Sequence, residues 1–343
     1  MALIFVEKYG DPVPHQLWAN DYQPHNLEEI IGNEMIVETL QSYLNNDQLP
    51  NLIFYGPNGC GKTTIAKIIV EKYLGRYYTS CNMEVIGSIY RGKNVVTEKT
   101  DKKKNTDKSS DGPNIVNFIR KTSILPSNKC KIVTIYDFDC MTTEAQMALR
   151  RIIEIYSHKV RFIFICNHLN GLIEAIQSRA IPFKFTSIHT DLITDRLKAI
   201  AKFNQMEIEE EIYDSISIMS NGDLKQAINY LQVFSRCPEK NLQNFYHIFN
   251  IPSMQTVQEL IISCLNKNNT QAFEILNRLV DNGYNVSDIL DIIIKVLSHN
   301  RQITDKQRVI LIEETTKIIC TNEISPSVIH LYKLMVSFIN KVN

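Results

Sequence analysis

The residues with the most specific chemistry are Gly56-Pro57-Asn58-Gly59-Cys60-Gly61-Lys62-Thr63-Thr64. Their spacing fits G-x-x-x-x-G-K-[ST], a loop whose backbone N–H groups cradle phosphates. Glycine is required there because a Cβ would block a left-handed turn or the close approach of backbone to ligand. Lys62 would reach the β- and γ-phosphates of a nucleotide, and the Thr63 hydroxyl would ligate Mg²⁺. This chemistry needs a strand to deliver the loop and a helix N-terminus behind it, where the positive end of the helix dipole adds to the amide donors. Both neighbours can be read. Asn51-Leu52-Ile53-Phe54-Tyr55 is a short apolar run expected to be a buried strand, and Ile65, Ile68, Ile69 and Leu74 recur at helical spacing.

The same alternation continues downstream. Lys131 to Tyr136 reads as a second buried strand, closing on Asp137-Phe138-Asp139. Thr142 or Thr143 caps a helix that runs to Tyr156. Phe162 to Cys166 is a further apolar strand ending at Asn167, residues 173–179 a short helix, and residues 181–185 a last strand. Short apolar strands alternating with helices imply an α/β fold with a parallel sheet covered on both faces. Helices are also expected over 34–44 and 114–121. Between them, Val96 to Pro113 carries five lysines among Asp, Asn, Ser and Thr with no apolar periodicity, which reads as a solvated insertion (97–112). Beyond Phe185 only helical patterns remain: 190–203, 207–219 and 223–235, then 253–266, 269–281, 286–299, 304–320 and 325–341. Boundaries near 186 and 240 divide a nucleotide-binding domain (18–186) from a small helical domain (187–239) and a C-terminal helical domain (240–343), with 1–17 a loosely ordered leader.

Composition sets bounds on function. In 343 residues, 37 lysines and arginines balance 37 aspartates and glutamates, so any nucleic-acid surface must be a local patch. No apolar run approaches the ~18 residues of a membrane span, and Ala2-Leu3-Ile4-Phe5-Val6 is too short for a signal peptide. A soluble, intracellular protein without membrane contact is expected. The 8 cysteines include no C-x-x-C pair, which argues for reduced, buried thiols rather than zinc or disulfides.

In order along the chain stand an aromatic-proline segment, the phosphate loop, an acidic strand end, a polar strand end, Ser-Arg and Gly-Asp-Leu-Lys. Together they resemble a small subunit of the replication factor C clamp loader, within the AAA+ ATPases. The family's Trp-Val-Glu-Lys-Tyr-Arg-Pro opening is similar to Trp18–Pro24, and its helix after the acidic box is similar to the run from Met141 to Arg151 and on to Ser157. Its arginine motif is similar to Gln177-Ser178-Arg179, and its sensor helix to Gly222-Asp223-Leu224-Lys225. The specific likeness covers about 18–235. It implies an AAA+ domain with a parallel sheet, a helical lid and an all-helical collar, in a hetero-pentameric ring. That ring would load a PCNA-type sliding clamp onto primer-template DNA, using ATP and Mg²⁺ bound between neighbouring subunits, in the nucleus or wherever replication takes place. The richness in Ile, Asn and Lys suits an AT-rich genome, such as a virus's. By the resemblance, Trp18, Tyr22 and Pro24 lie beside adenine, Asn167 senses the γ-phosphate, Arg179 is a finger inserted into the neighbour's site, and Lys225 stands near the γ-phosphate. Ala180, Lys225 and Gln23 depart from the family's Cys, Arg and Arg. Arg91, Lys93 and Arg120 are the candidates for contact with DNA phosphates.

The acidic box departs furthest from the family's pattern. Read without gaps, Ile135-Tyr136-Asp137-Phe138-Asp139 falls on Leu-Asp-Glu-Ala-Asp, so Tyr136 replaces the metal-orienting Asp and Asp137 the Glu that activates water. Shifted by one residue, Asp137 serves the metal and Phe138 takes the Glu position. One carboxylate is missing in either register. Three readings follow: an active motor subunit, a nucleotide-binding scaffold that donates Arg179 and hydrolyses little itself, or a different AAA+ DNA machine such as a branch-migration motor.

Overall fold

The computed structural model describes residues 17–92, 95–96, 114–122, 125–126, 128–299, 303–324 and 327–341; the expected insertion, the leader up to residue 16 and Lys93 lie outside the described residues. The described chain divides into two compact units. The first takes the residues up to 207 with 213–232, and the second takes 208–212 with 233 onward. Of the residues read as a small helical domain, those up to 207 and 213–232 group with the sheet-bearing unit, and 208–212 with 233–239 group with the second.

In chain order the first unit contains α1 (Trp18–Asp21), α2 (Glu34–Asn45), β1 (Leu52–Tyr55), α3 (Lys62–Leu74), α4 (Tyr78–Cys81), β2 (Asn82–Ile86), α5 (Ile115–Arg120), β3 (Lys131–Tyr136), α6 (Thr143–Ile155), β4 (Val160–Cys166), α7 (Glu174–Gln177), β5 (Ile181–Lys184) and α8 (Thr190–Phe203). Helices α9 (Glu210–Met219) and α10 (Leu224–Ser235) reach into both units. The five strands form one sheet in the order β2-β3-β4-β1-β5, every pairing parallel. β1 sits between two partners, with Leu52 opposite Ile163 on one side and Ile181 on the other.

Strand side chains alternate between the two faces of a sheet, and here each face has its own apolar core. Leu52, Phe54, Ile132, Ile163 and Ile165 pack beneath α3 with Ile65 and Ile69. Ile53, Val133, Ile135, Phe162 and Phe164 pack on the opposite face with Leu149, Ile152 and Ile153 of α6. Burial on both faces explains why β1, β3 and β4 read as continuous apolar runs. Each fully buried side chain of this size contributes about 1.5–3 kcal/mol.

Two polar devices fix the elements that carry site residues. Thr142 caps α6 by accepting the amide of Ala145 at 3.3 Å. The buried Gln146 amide donates to the carbonyls of Met141 (3.2 Å) and Gly171 (3.0 Å), and its oxygen accepts the Ile173 amide at 3.0 Å. The segment after β4 is thereby held in register before α7 begins.

The second unit is helical: α11 (Leu242–Phe249), α12 (Met254–Leu265), α13 (Asn269–Asp281), α14 (Val286–His299), α15 (Asp305–Ile324) and α16 (Ile329–Lys341). Phe245 is fully buried, its ring 5.7 Å from that of Phe234 and 5.0 Å from that of Phe249. Ser253 caps α12 through the amide of Thr256 at 3.1 Å. Among the described residues, no helix is long and apolar enough to cross a membrane.

Candidate nucleotide-binding site

β1 delivers the chain into a glycine loop, and α3 begins at Lys62, directly after Gly61. Two glycines are fixed by space as well as by backbone. Gly56 has φ 142° and lies so close to the end of β5 that a Cβ would stand 2.3 Å from the Phe185 carbonyl oxygen. Gly59 has φ 67°, and a Cβ there would meet the Asp223 carboxylate at 1.8 Å. No other residue fits either place. Lys62 is buried, and its ammonium donates to the carbonyls of Gly56 at 2.7 Å and Pro57 at 2.6 Å. The Cys60 thiol donates to the Pro57 carbonyl at 2.9 Å, and burial pushes its pKa up, so it is a packed thiol inside the loop.

Above the loop is a cavity of about 390 Å³. Residues 58–64 line it, and with them Tyr22, Asp137, Asn167 and Lys225, which the chain brings from four separate elements. The lining also includes the apolar side chains of Ile30, Ile31, Ile188 and Ile228. Gly56 and Pro57 lie behind the lining and accept from Lys62. Trp18 is also outside it. Its ring stands edge-on to Tyr22 with centroids 6.0 Å apart, and its backbone amide donates to Gln232 at 3.0 Å. Tyr22 is itself buried, its hydroxyl accepting the Asn204 amide at 2.8 Å while burial raises its pKa.

Asp137 follows β3 in the left-handed region, at φ 48°, and its carboxylate accepts the Ser88 hydroxyl at 2.9 Å. Asn167 follows β4, with its backbone amide donating to Asp139 at 3.2 Å, so Asp139 braces one strand end against the other. Lys225 is the second residue of α10, whose first turn Asp223 caps through the Gln226 amide at 2.9 Å. Tyr136, by contrast, is not in the lining. It packs with the core beneath α3, facing Glu84. Burial first, and then the Glu84 carboxylate, drives its pKa far above that of an ordinary phenol.

Arg179 lies away from its own chain's cavity. Its guanidinium pairs with Glu154 at 2.6 Å and donates to the Ala175 carbonyl at 2.7 Å and the Ser178 hydroxyl at 3.1 Å. Glu154 also accepts from Arg150 at 3.3 Å, and the bonds from Arg150 and Arg179 hold its carboxyl below the usual range. Of the residues suggested for DNA, Arg91 donates to the Ser88 carbonyl at 3.0 Å. Arg120 lies 3.4 Å from the Tyr156 hydroxyl, on a concave face it shares with Arg150 and Arg151.

The cavity also has members that sequence reasoning passed over. Arg196 is buried, donates to the Tyr22 carbonyl at 3.2 Å and lines the cavity. Glu29 lines it too, accepting the His25 amide at 2.9 Å. No motif marks either residue; only the folding of α8 against the segment 22–31 brings them in.

A divalent cation at such a site is normally held by one or two carboxylates together with phosphates and water. The cavity offers the Thr63 hydroxyl and Asp137, the latter already bonded to Ser88. Among the described residues, no group of three or more His, Cys, Asp or Glu side chains is arranged to hold a metal. The donors to Mg²⁺ in the lining are thus one hydroxyl and the Asp137 carboxylate, with a phenol rather than a second carboxylate at position 136.

Comparison with known proteins gives consistent findings. Residues 32–189 match the family model described as DNA polymerase III, delta subunit, and residues 252–320 match the replication factor C C-terminal domain. The replication factor C small subunit of Sulfolobus acidocaldarius is 31% identical over 299 residues, covering 87% of each chain. That of Staphylothermus marinus is 32% identical over 299 residues, covering 86% of this chain and 85% of its own. The probable replication factor C subunit 2 of Dictyostelium discoideum is 30% identical, covering 87% of this chain and 84% of its own. Among solved structures, the Thermotoga maritima RuvB Holliday junction branch migration motor superposes with a TM-score of 0.51 at 15% identity, covering 74% of this chain and 85% of that one. At that identity the likeness is one of fold, the AAA+ arrangement of sheet and helices.

Proposed function

The chain belongs to the replication factor C small-subunit family, which places it in clamp loading during DNA replication, and on that premise we propose that it binds ATP in a multi-subunit ring and helps load a PCNA-type sliding clamp onto primed DNA. The observation that carries this reading is the convergence of residues 58–64, Asp137, Asn167 and Lys225 on one cavity. In the proposal, loop amides and Lys62 would hold the β- and γ-phosphates, and the Thr63 hydroxyl would be a ligand to Mg²⁺. Asn167 holds a γ-phosphate oxygen or the attacking water, and the base packs against apolar lining residues beside Tyr22 and Pro24. Trp18 supports Tyr22 from behind.

Arg179 acts in the proposal on the neighbouring subunit's nucleotide. Its distance from its own cavity supports this role, since a finger acting in trans has no business there. The other subunits of a hetero-pentamer, the sliding clamp and primer-template DNA are the proposed partners. Contacts to DNA would be directed at phosphates and independent of sequence.

A second reading is favoured by a specific observation. With Tyr136 packed under α3, the cavity has Asp137 but no carboxylate from the preceding strand position. This supports a subunit that holds nucleotide and donates its finger but hydrolyses little at its own site.

Nucleotide binding is tested by Lys62→Ala. Loss of the only lysine within the loop is expected to weaken ATP affinity of the purified chain by at least tenfold, measured by calorimetric titration. An unchanged affinity with the fold intact would remove the loop from the account.

A further inference from the structure

β3 sends Val133 and Ile135 to one face of the sheet and Ile132, Thr134 and Tyr136 to the other, toward α3. Tyr136 thus leaves the cavity and meets Glu84 on the edge strand β2. The Glu84 carboxylate is a small hub, taking the Tyr78 hydroxyl at 3.0 Å and the Asn82 amide at 3.3 Å as well as facing the Tyr136 phenol. None of these four residues lines the cavity.

The carboxylates that do line it are each engaged. Glu29 accepts from His25, Asp223 caps α10, and Asp137 accepts from Ser88. Against these three carboxylates the lining holds four cationic side chains, Lys62, Lys67, Arg196 and Lys225. The lining thus holds one more cationic side chain than it has carboxylates, which offsets part of the phosphate charge without a metal.

We propose that ATP binding at this site depends only weakly on Mg²⁺, because Tyr136 is withdrawn onto the Glu84 hub and Asp137 is left as the one strand-end carboxylate to orient a metal's water. The inference rests on the reading that the cavity binds nucleotide. A cation that keeps most of its water depends on acidic groups to orient that water, and loss of such a partner typically costs about 10–100-fold in metal affinity. The phosphate contacts that remain, through loop amides and Lys62, need no metal.

The test is the affinity of the full chain for ATP in saturating Mg²⁺ and in EDTA, by calorimetric titration. Four proteins are compared: wild type, Tyr136→Phe, Tyr136→Asp, and Tyr136→Asp combined with Glu84→Gln, so that two carboxylates do not meet. Wild type and Tyr136→Phe are expected to bind within about threefold in the two buffers. Tyr136→Asp, alone or in the double variant, is expected to bind roughly tenfold more tightly in Mg²⁺ than in EDTA. A wild-type chain that already requires Mg²⁺ by tenfold or more overturns the inference, as does an aspartate variant that binds ATP with no gain from the metal. If the aspartate variants fail to fold, the wild-type ratio decides alone. Absence of ATP binding by wild type in both buffers removes the nucleotide reading itself, and this inference with it.

Discussion

Single residues divide into those that need only their type and spacing to be recognised and those that need the fold. The loop from Gly56 to Thr64 is of the first kind, since glycine, lysine and threonine at fixed offsets leave few other chemistries. Arg179 was readable only as a member of an ordered set of motifs, and its partner Glu154 was not readable at all, because α6 brings it there from an exposed face. The Glu154–Arg179 pair is half exposed and contributes little to stability, so its interest lies in where it parks a guanidinium. If Arg179 serves a neighbour, Arg179→Ala should leave ATP affinity of the isolated chain unchanged and slow hydrolysis by the assembled ring. Fingers supplied in trans are worth about 10³–10⁵ in rate in well-studied GTPases, so turnover at the one neighbouring site that Arg179 serves should fall by orders of magnitude, seen in the ring as loss of that site's share. An equal defect in binding by the isolated chain would contradict the assignment. Tyr136 marks the limit of reading by type: the sequence shows that a carboxylate is absent, but only the strand alternation shows that the phenol points under α3 toward Glu84.

At the scale of elements, legibility followed burial. β1, β3 and β4 are buried on both faces and gave continuous apolar runs, so their positions were apparent. β2 was not expected: it is an edge strand in which only Val85 of five residues is buried, and Asn82 and Glu84 carry polar work instead. α11 was missed for a related reason, being eight residues long with Phe245 and Tyr246 as its buried positions, too few to set a period. Lys131 shows how a polar residue can fix an element. It opens β3, is buried, and donates to the carbonyls of Phe118 (2.7 Å), Ile119 (3.3 Å) and Lys121 (2.5 Å) at the end of α5. A six-residue helix has little stability of its own, and this ammonium satisfies its otherwise open carbonyls. Lys131→Met should cost about 1.5–3 kcal/mol, the worth of hydrogen bonds to a charged donor. It should be seen as a lower midpoint in thermal unfolding, with ATP affinity retained. An unchanged midpoint would mean that α5 is held by Ile115, Val116 and Ile119 alone.

For the whole molecule, the change from alternating to purely helical patterns after Phe185 marks where the sheet ends, the last strand being β5. Of the helices that follow, α8 and most of α10 group with the sheet and those from Leu242 onward with the second unit, and a pattern along one helix does not say which neighbour it will meet. The fold is shared with a branch migration motor, yet the relatives that match at 30–32% identity over most of the chain are replication factor C subunits. The account therefore turns on whether this chain works as a clamp-loader subunit through its nucleotide cavity. The most direct measurement combines the chain with the remaining subunits of its loader, a labelled PCNA-type clamp, ATP and primed circular DNA, and counts clamps retained on the DNA. Loading is expected with the wild-type chain, to be strongly reduced with Arg179→Ala, and to be absent when the chain is omitted. A chain that neither assembles with the loader subunits nor changes the number of clamps loaded would contradict the account.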